Sequence, residues 1–99
     1  MKVAFTDAAE IDLETIGDYI ALSNPFRAVS FVRELRTRCF DLSDMPHAFA
    51  LLPQFESTGI RRRVHGSYLI FYRIGGDAVE ILRILHSATE YERTLFPED

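Results

Sequence analysis

Residues 60–86 hold three runs rich in β-branched and aromatic side chains, and two glycine-bearing turns separate them. The first run is Ile60-Arg61-Arg62-Arg63-Val64-His65, the second Tyr68 to Ile74, and the third Val79 to His86. Gly66-Ser67 suits a two-residue type II′ turn, and Gly75-Gly76-Asp77 a slightly longer one. Runs of this length joined by such turns predict an antiparallel meander. The positive charges of the stretch are all arginine, at positions 61, 62, 63, 73 and 83. A period of two places Ile60, Arg62 and Val64 on one face of the first strand and Arg61, Arg63 and His65 on the other. In the second strand Leu69, Phe71 and Arg73 oppose Tyr68, Ile70, Tyr72 and Ile74. In the third, Val79, Ile81, Arg83 and Leu85 oppose Glu80, Leu82, Ile84 and His86.

The residues before the meander carry a helical period. Ala9, Leu13, Ile16 and Ile20 recur on one helix face, and acids crowd the start of that helix, where its dipole favours them. Asp7 and Glu10 have the spacing of a capping box, which predicts a helix over about residues 7–22. Asn24-Pro25 restarts the chain as an N-cap followed by a proline at the first helical position. Ala28, Val32, Leu35, Cys39 and Leu42 form a second stripe, with Arg27, Arg33, Arg36 and Arg38 off it, and Met45-Pro46 closes that helix. Residues 46–59 have no period. Their Phe49, Leu51, Leu52 and Phe55 make an apolar loop expected to pack on the sheet or helices while offering an exposed docking surface. Val3-Ala4-Phe5 adds a short strand at the front, and residues 89–96 a short helix or an arm at the back.

The expected fold class is therefore α+β in two layers: a mostly antiparallel sheet in β-α-α-β-β-β order, with a helical hairpin on one face. The other sheet face is left to solvent or to a partner. Ninety-nine residues with 47% hydrophobic and 26% charged side chains fit one domain over residues 1–99. No apolar run approaches the ~20 residues of a membrane helix, and no secretory leader is apparent. The lone Cys39 argues against a disulfide framework, so a cytoplasmic location is expected. The net charge of −4 argues against a general nucleic-acid binder, yet its distribution is uneven. Residues 1–18 hold five acids against Lys2, whereas residues 60–73 hold four arginines and no acid.

His47, His65 and His86 fall on different elements without metal-ligand spacing, and no phosphate-binding glycine loop occurs, so no metal and no cofactor is expected. Cys39 lies on an apolar stripe and reads as core filler. The arginines remain. Arg73 and Arg83 sit among apolar neighbours on their strands, which leaves two readings: a guanidinium cluster for a phosphate or carboxylate, or internal ion pairs with Glu80, Glu90 or Glu92. His86 is either an acid–base group or the cap of the last strand.

Taken in order, Ala8-x3-Asp12-Leu13-x2-Ile16-x2-Tyr19-Ile20, the Asn24-Pro25 restart, the arginine strand, Tyr72-Arg73-Ile74 and Glu80-Ile81-Leu82-x-Ile84-x-His86 resemble the RelE/ParE superfamily of bacterial toxins. The resemblance covers residues 3–95. It implies a toxin of a type II toxin–antitoxin module, neutralised by a cognate antitoxin that is ParD-like or another DNA-binding protein. RelE-like members cleave mRNA on the ribosome, whereas ParE-like members poison DNA gyrase without being nucleases. The RelE-like branch commonly has an arginine just after the residue that opens the third strand. Here that position is Leu69. That branch also has a basic cluster after the last strand, where this chain has Ser87-Ala88-Thr89-Glu90, with Arg93 the first basic residue and Tyr91 a possible stand-in for the chemistry.

The resemblance thus favours the ParE-like activity, by binding and with no catalytic residue. Arg61, Arg62, Arg63, Arg73 and Arg83 are then the expected target contacts. The alternative, an mRNA endonuclease, would use His86 and Tyr91 with Arg73 and Arg83. Antitoxin contacts are expected at Arg33 and Arg36 and at the loop residues Phe49, Leu52 and Phe55, together with the outer sides of the helical hairpin.

Overall fold

A computed structural model describes residues 1–97. The chain runs through β1 (Lys2–Phe5), α1 (Asp7–Ala21), α2 (Pro25–Asp41), β2 (Ile60–His65), β3 (Tyr68–Gly75), β4 (Ala78–His86) and α3 (Tyr91–Leu95). The fold is the expected α+β arrangement of a helical hairpin against a four-stranded sheet. The strand order is β1-β4-β3-β2, antiparallel except for the pairing of β1 with β4. β1 is thus not a neighbour of the next strand in sequence. It lies parallel to the last one, which a helical crossover permits.

The helix starts are locally determined. Thr6, one residue before the expected Asp7, is the N-cap of α1, and its hydroxyl accepts from the Ala9 amide. The Asn24 side chain accepts from the Arg27 amide at the start of α2, with Pro25 first in the helix. α2 ends at Asp41, four residues before Met45, and the chain continues in turns. Gly17 faces Val32, where a Cβ would stand 3.2 Å from the valine methyl, so the two helices approach closely at a residue without a side chain.

Both meander turns contain two residues, Gly66-Ser67 and Gly76-Asp77, because Gly75 is still paired with Ala78. The second turn is therefore as tight as the first. Only the leading glycines have positive φ (58° and 60°), as a type II′ turn requires.

Two apolar clusters lie on the two faces of the sheet. Under the helices, Ala9, Leu13, Ile16, Phe31, Leu35, Cys39 and Leu42 meet Ile70, Tyr72, Val79, Ile81 and Ile84. On the opposite face, Leu52, Ile60, Leu69, Phe71 and Leu85 are packed by Phe55, Leu82, Tyr91, Leu95 and Phe96. That second face is covered by the 46–59 loop and α3 rather than left open. The loop carries its own ladder, with Leu52 donating to the Ile60 carbonyl and Arg62 donating to that of Ala50.

The strict alternation expected in the last strand fails at one point. β4 pairs with β3 as Phe71↔Arg83 and then Tyr72↔Ile81, so Leu82 is an extra residue. A bulge of this kind resets the alternation. Val79, Ile81 and Ile84 all point to the helical layer, while Leu82 and Leu85 point away from it.

Candidate functional site

The bulge delivers Arg83 to the edge of β4, just past the end of β1. There Asp12 of α1 accepts from Arg83 Nε at 2.7 Å, from Nη2 at 2.8 Å and from the Ile84 amide at 2.9 Å. Asp12 is the buried charged residue of the core. The carboxylate raises the Arg83 pKa, burial working against it. Thr6 seals the same edge by donating its hydroxyl to the Leu82 carbonyl at 2.7 Å. A buried acid of this sort has a sequence signal: Asp12 sits three residues after Ala9 and four before Ile16, on the core stripe of α1, where a charge requires a partner. Arg83 is indeed in an ion pair, with Asp12 rather than with Glu80, Glu90 or Glu92.

The five meander arginines divide between the two faces. Arg61 Nη1 donates to the Phe49 carbonyl at 2.7 Å, and Arg63 Nη1 to the Arg38 carbonyl near the end of α2 at 2.9 Å. Arg63 also lies 4.7 Å over the Phe49 ring. His65, next on that face, meets Glu34, which Arg27 also holds. These groups join β2 to the loop and to α2. On the opposite face Arg62 donates to the Tyr91 hydroxyl at 3.1 Å, Arg73 contacts Glu80 through Nη2 at 3.3 Å, and Arg62, Phe71 and Arg83 stand in one row across three strands. Tyr91 lies against Phe71, with ring centroids 5.1 Å apart.

His86 and Tyr91 do not meet. The His86 ring accepts from the Ala88 amide through Nδ1 and sits edge-on to Tyr68, on the helical side of the sheet. Its groove there is lined by Asp12, Thr15, Tyr19 and Tyr68. Tyr91 is on the far side, in the second cluster with Phe71. Among the described residues no group of three or more His, Cys, Asp and Glu side chains is placed to hold a metal ion. Burial pushes the Cys39 thiol up to about 12, which keeps it protonated and unreactive.

The residues expected to meet a partner are placed as follows. Leu52 is 1% exposed and belongs to the interior. Phe55 is stacked on Phe96 at 4.4 Å, and Phe49 is half-buried beneath Arg63. Arg36 is held by Glu10 through two hydrogen bonds of 2.9 and 2.8 Å, while Arg33 is exposed. Open apolar surface lies on the hairpin, whose outer sides the sequence also offers to a partner. A cleft of about 680 Å³ runs along α1 and α2, lined by Leu13, Gly17, Ala28 and Val32, with Ile11 and Val29 at its rim. Ile11 is 61% and Val29 60% exposed, and Leu22 and Phe26 near the hairpin tip are more exposed still.

The family profile described as the ParE toxin of type II toxin–antitoxin system, parDE, matches residues 3–91. The chain belongs to the ParE toxin family. Among solved structures it is similar to a chain of the chromosomal ParDE toxin–antitoxin system from P. aeruginosa, with a TM-score of 0.75 and 25% identity over 87% of this chain and 95% of that one. It is also similar to a chain of the RelBE2 toxin–antitoxin complex from Mycobacterium tuberculosis, with a TM-score of 0.63 and 27% identity over 86% and 95%. No curated protein matches. This ParE-family member is thus a ParE-type toxin of a type II toxin–antitoxin system within the RelE superfamily, and both likenesses support an antitoxin partner. Among the described residues no helix is long and apolar enough to cross a membrane.

Proposed function

We propose that this chain binds DNA gyrase in the bacterial cytoplasm, holds it in its cleaved-DNA state and so stops replication, without being a nuclease itself. The observation that carries this reading is the separation of His86 from Tyr91. An RNA-cleaving site needs its acid, its base and its phosphate-binding cations around one scissile bond. Here His86 lies on the helical side of the sheet, whereas Tyr91 and Arg62 lie on the other. Leu69, at the position where the RelE-like branch has an arginine, is buried among Leu52, Phe71 and Leu85. Arg62, Arg73 and Arg83 are the meander arginines best placed for the target, since Arg61 and Arg63 are engaged by backbone carbonyls of the same chain.

For the antitoxin, the hairpin cleft with Ile11 and Val29 at its rim is the favoured docking surface. An amphipathic helix laid along it would bury both residues, as helix-in-groove recognition requires. Arg33, exposed on α2, is open to a partner, whereas Leu52 would have to leave the core first.

Induction of the chain alone in a bacterial cell, with pulse labelling of DNA and protein synthesis, tests the target. An early fall in DNA synthesis with translation intact, and cleaved DNA accumulating on purified gyrase, is the expected result. An early fall in translation, abolished by His86→Ala with Tyr91→Ala, would establish the mRNA endonuclease instead.

A further inference from the structure

The far side of the sheet carries a groove of about 520 Å³ between the turn at Gly59, β4 and α3, lined by Thr58, Ile60, Arg73, Leu82, Arg83 and Thr94, with Leu95 and Phe96. Two arginines line it from adjacent strands, and neither guanidinium is fully occupied. Asp12 takes Nε and Nη2 of Arg83, leaving Nη1 without a protein partner among the described residues. Arg73 uses only Nη2, in a long contact with Glu80 in which both side chains are 46% exposed. The Arg73 methylenes lie 3.7 Å from where a Cβ of Gly59 would be, so this glycine (φ 77°) gives the side chain its path along the groove wall. Asp12 fixes Arg83 before any ligand arrives, which lowers the ordering cost of binding.

The remaining wall is Ile60, Leu82, Leu95 and Phe96, with the two threonines. Phe96, stacked on Phe55, lies at the same groove as the two arginines. Arginines beside an aromatic platform are the combination that holds a nucleotide: cations for the phosphodiester and a ring face for the base. A carboxylate would use the cations and leave the platform idle. The carboxylates nearest these cations are their own partners, Asp12 on Arg83 and Glu80 on Arg73, and each leaves guanidinium nitrogens over. Glu14 and Asp18 are on α1, across the sheet from the groove. That separation of roughly 10 Å between layers is about one Debye length in physiological salt.

We infer that this groove is a subsite for the phosphodiester backbone of a single nucleic-acid strand, with Arg73 and Arg83 on the phosphate and Phe96 against the base. The inference shares Arg73 and Arg83 with the proposed gyrase contacts, but it concerns the isolated chain and is read without a second protein.

The test is fluorescence anisotropy of the full chain at low salt, with labelled oligothymidylate, its oligouridylate counterpart and a duplex of the same length. Single-strand binding is expected. Arg73→Gln should weaken it about tenfold and flatten the slope of log affinity against log salt by about 0.7, the loss of one phosphate contact. Arg38→Gln, which removes the same charge from α2, should leave both nearly unchanged. Phe96→Leu should weaken binding without changing the salt slope. Arg83→Gln also frees Asp12, so Arg73→Gln and Phe96→Leu carry the test. The two oligonucleotide chemistries tell a DNA strand from an RNA strand, and inorganic phosphate as competitor tells a free anion from a backbone. Absence of single-strand binding, equal losses in Arg73→Gln and Arg38→Gln, or equal competition by oligoglutamate would each overturn the inference. None of these results would alter a positive gyrase assay.

Discussion

Replacing Asp12 by Ala removes an acceptor that serves three donors at once: two nitrogens of Arg83 and the Ile84 amide. Asp12 is 8% exposed, so nothing from solvent replaces it readily. Removing one partner of a buried ion pair costs about 3–5 kcal/mol, because the remaining charge loses its compensation. The Arg83 side chain is 29% exposed and can turn partly to water, which places the expected loss near the lower end, at about 3 kcal/mol. That is a large part of the roughly 5–15 kcal/mol that holds a small domain folded. At roughly 4–8 °C per kcal/mol, the midpoint of thermal unfolding should fall by roughly 12–24 °C. Urea unfolding of the wild type, Asp12→Ala, Arg83→Met and the double variant measures the effect and its origin. The double variant should lose less than the sum of the singles by at least about 1.5 kcal/mol, since groups in one network couple. A loss under about 1 kcal/mol for Asp12→Ala, or additive singles, would refute the view that this pair clamps α1 to the bulged edge of β4.

Other expectations follow from named contacts. The Glu10 carboxyl is held below its ordinary 4.5, chiefly by its hydrogen bonds with Arg36. A depressed carboxyl contributes its stability in full above the unfolded-state value and loses it as pH falls through the folded one. Glu10→Gln should therefore cost about 0.5 kcal/mol at pH 7 and nothing at strongly acid pH, read from urea midpoints at both; the pair is surface-exposed, so the effect is small. Cys39 should resist thiol reagents in the folded protein and react at the rate of unfolding, followed by thiol titration with and without urea. Ile11→Asp with Val29→Asp should leave the fold intact, as both side chains are exposed, and weaken antitoxin binding at least tenfold by calorimetry. Unchanged affinity would move the docking surface off the hairpin.

The helices and turns were legible because their determinants are local. Asn24-Pro25, the stripe from Ala9 to Ile20 and the glycines at 66 and 76 each act within a few residues. What was not legible depends on partners far along the chain. The Leu82 bulge arises where β4 passes from β1 to the Thr6 and Asp12 contacts, and no period within residues 78–86 reveals it. The covered second face required knowing that Tyr91, Leu95 and Phe96 fold back over Phe71 and Leu85, a contact that a five-residue helix does not announce. For the candidate site, the sequence marks the meander arginines without their partners. Period two separates Arg62 from Arg61 and Arg63, but only the packed loop and α2 show that the latter two are bound to carbonyls. An aperiodic apolar stretch looks the same whether it hangs outside or lines a core, so the sequence offers Leu52 and Phe55 for packing and docking alike, and only the fold shows Leu52 to be interior.

The parallel seam between β1 and β4 has a consequence for the order of events during synthesis. Lys2–Phe5 waits for Ala78–Ile81, and the Thr6 hydroxyl waits for the Leu82 carbonyl, 76 positions later. The helical hairpin needs no such delay, because its contacts join neighbours in the chain, and local contacts form first. A growing chain therefore displays the outer hairpin cleft well before the sheet that bears the arginines is closed. A partner that grips the hairpin gains a head start over the toxin's own completion.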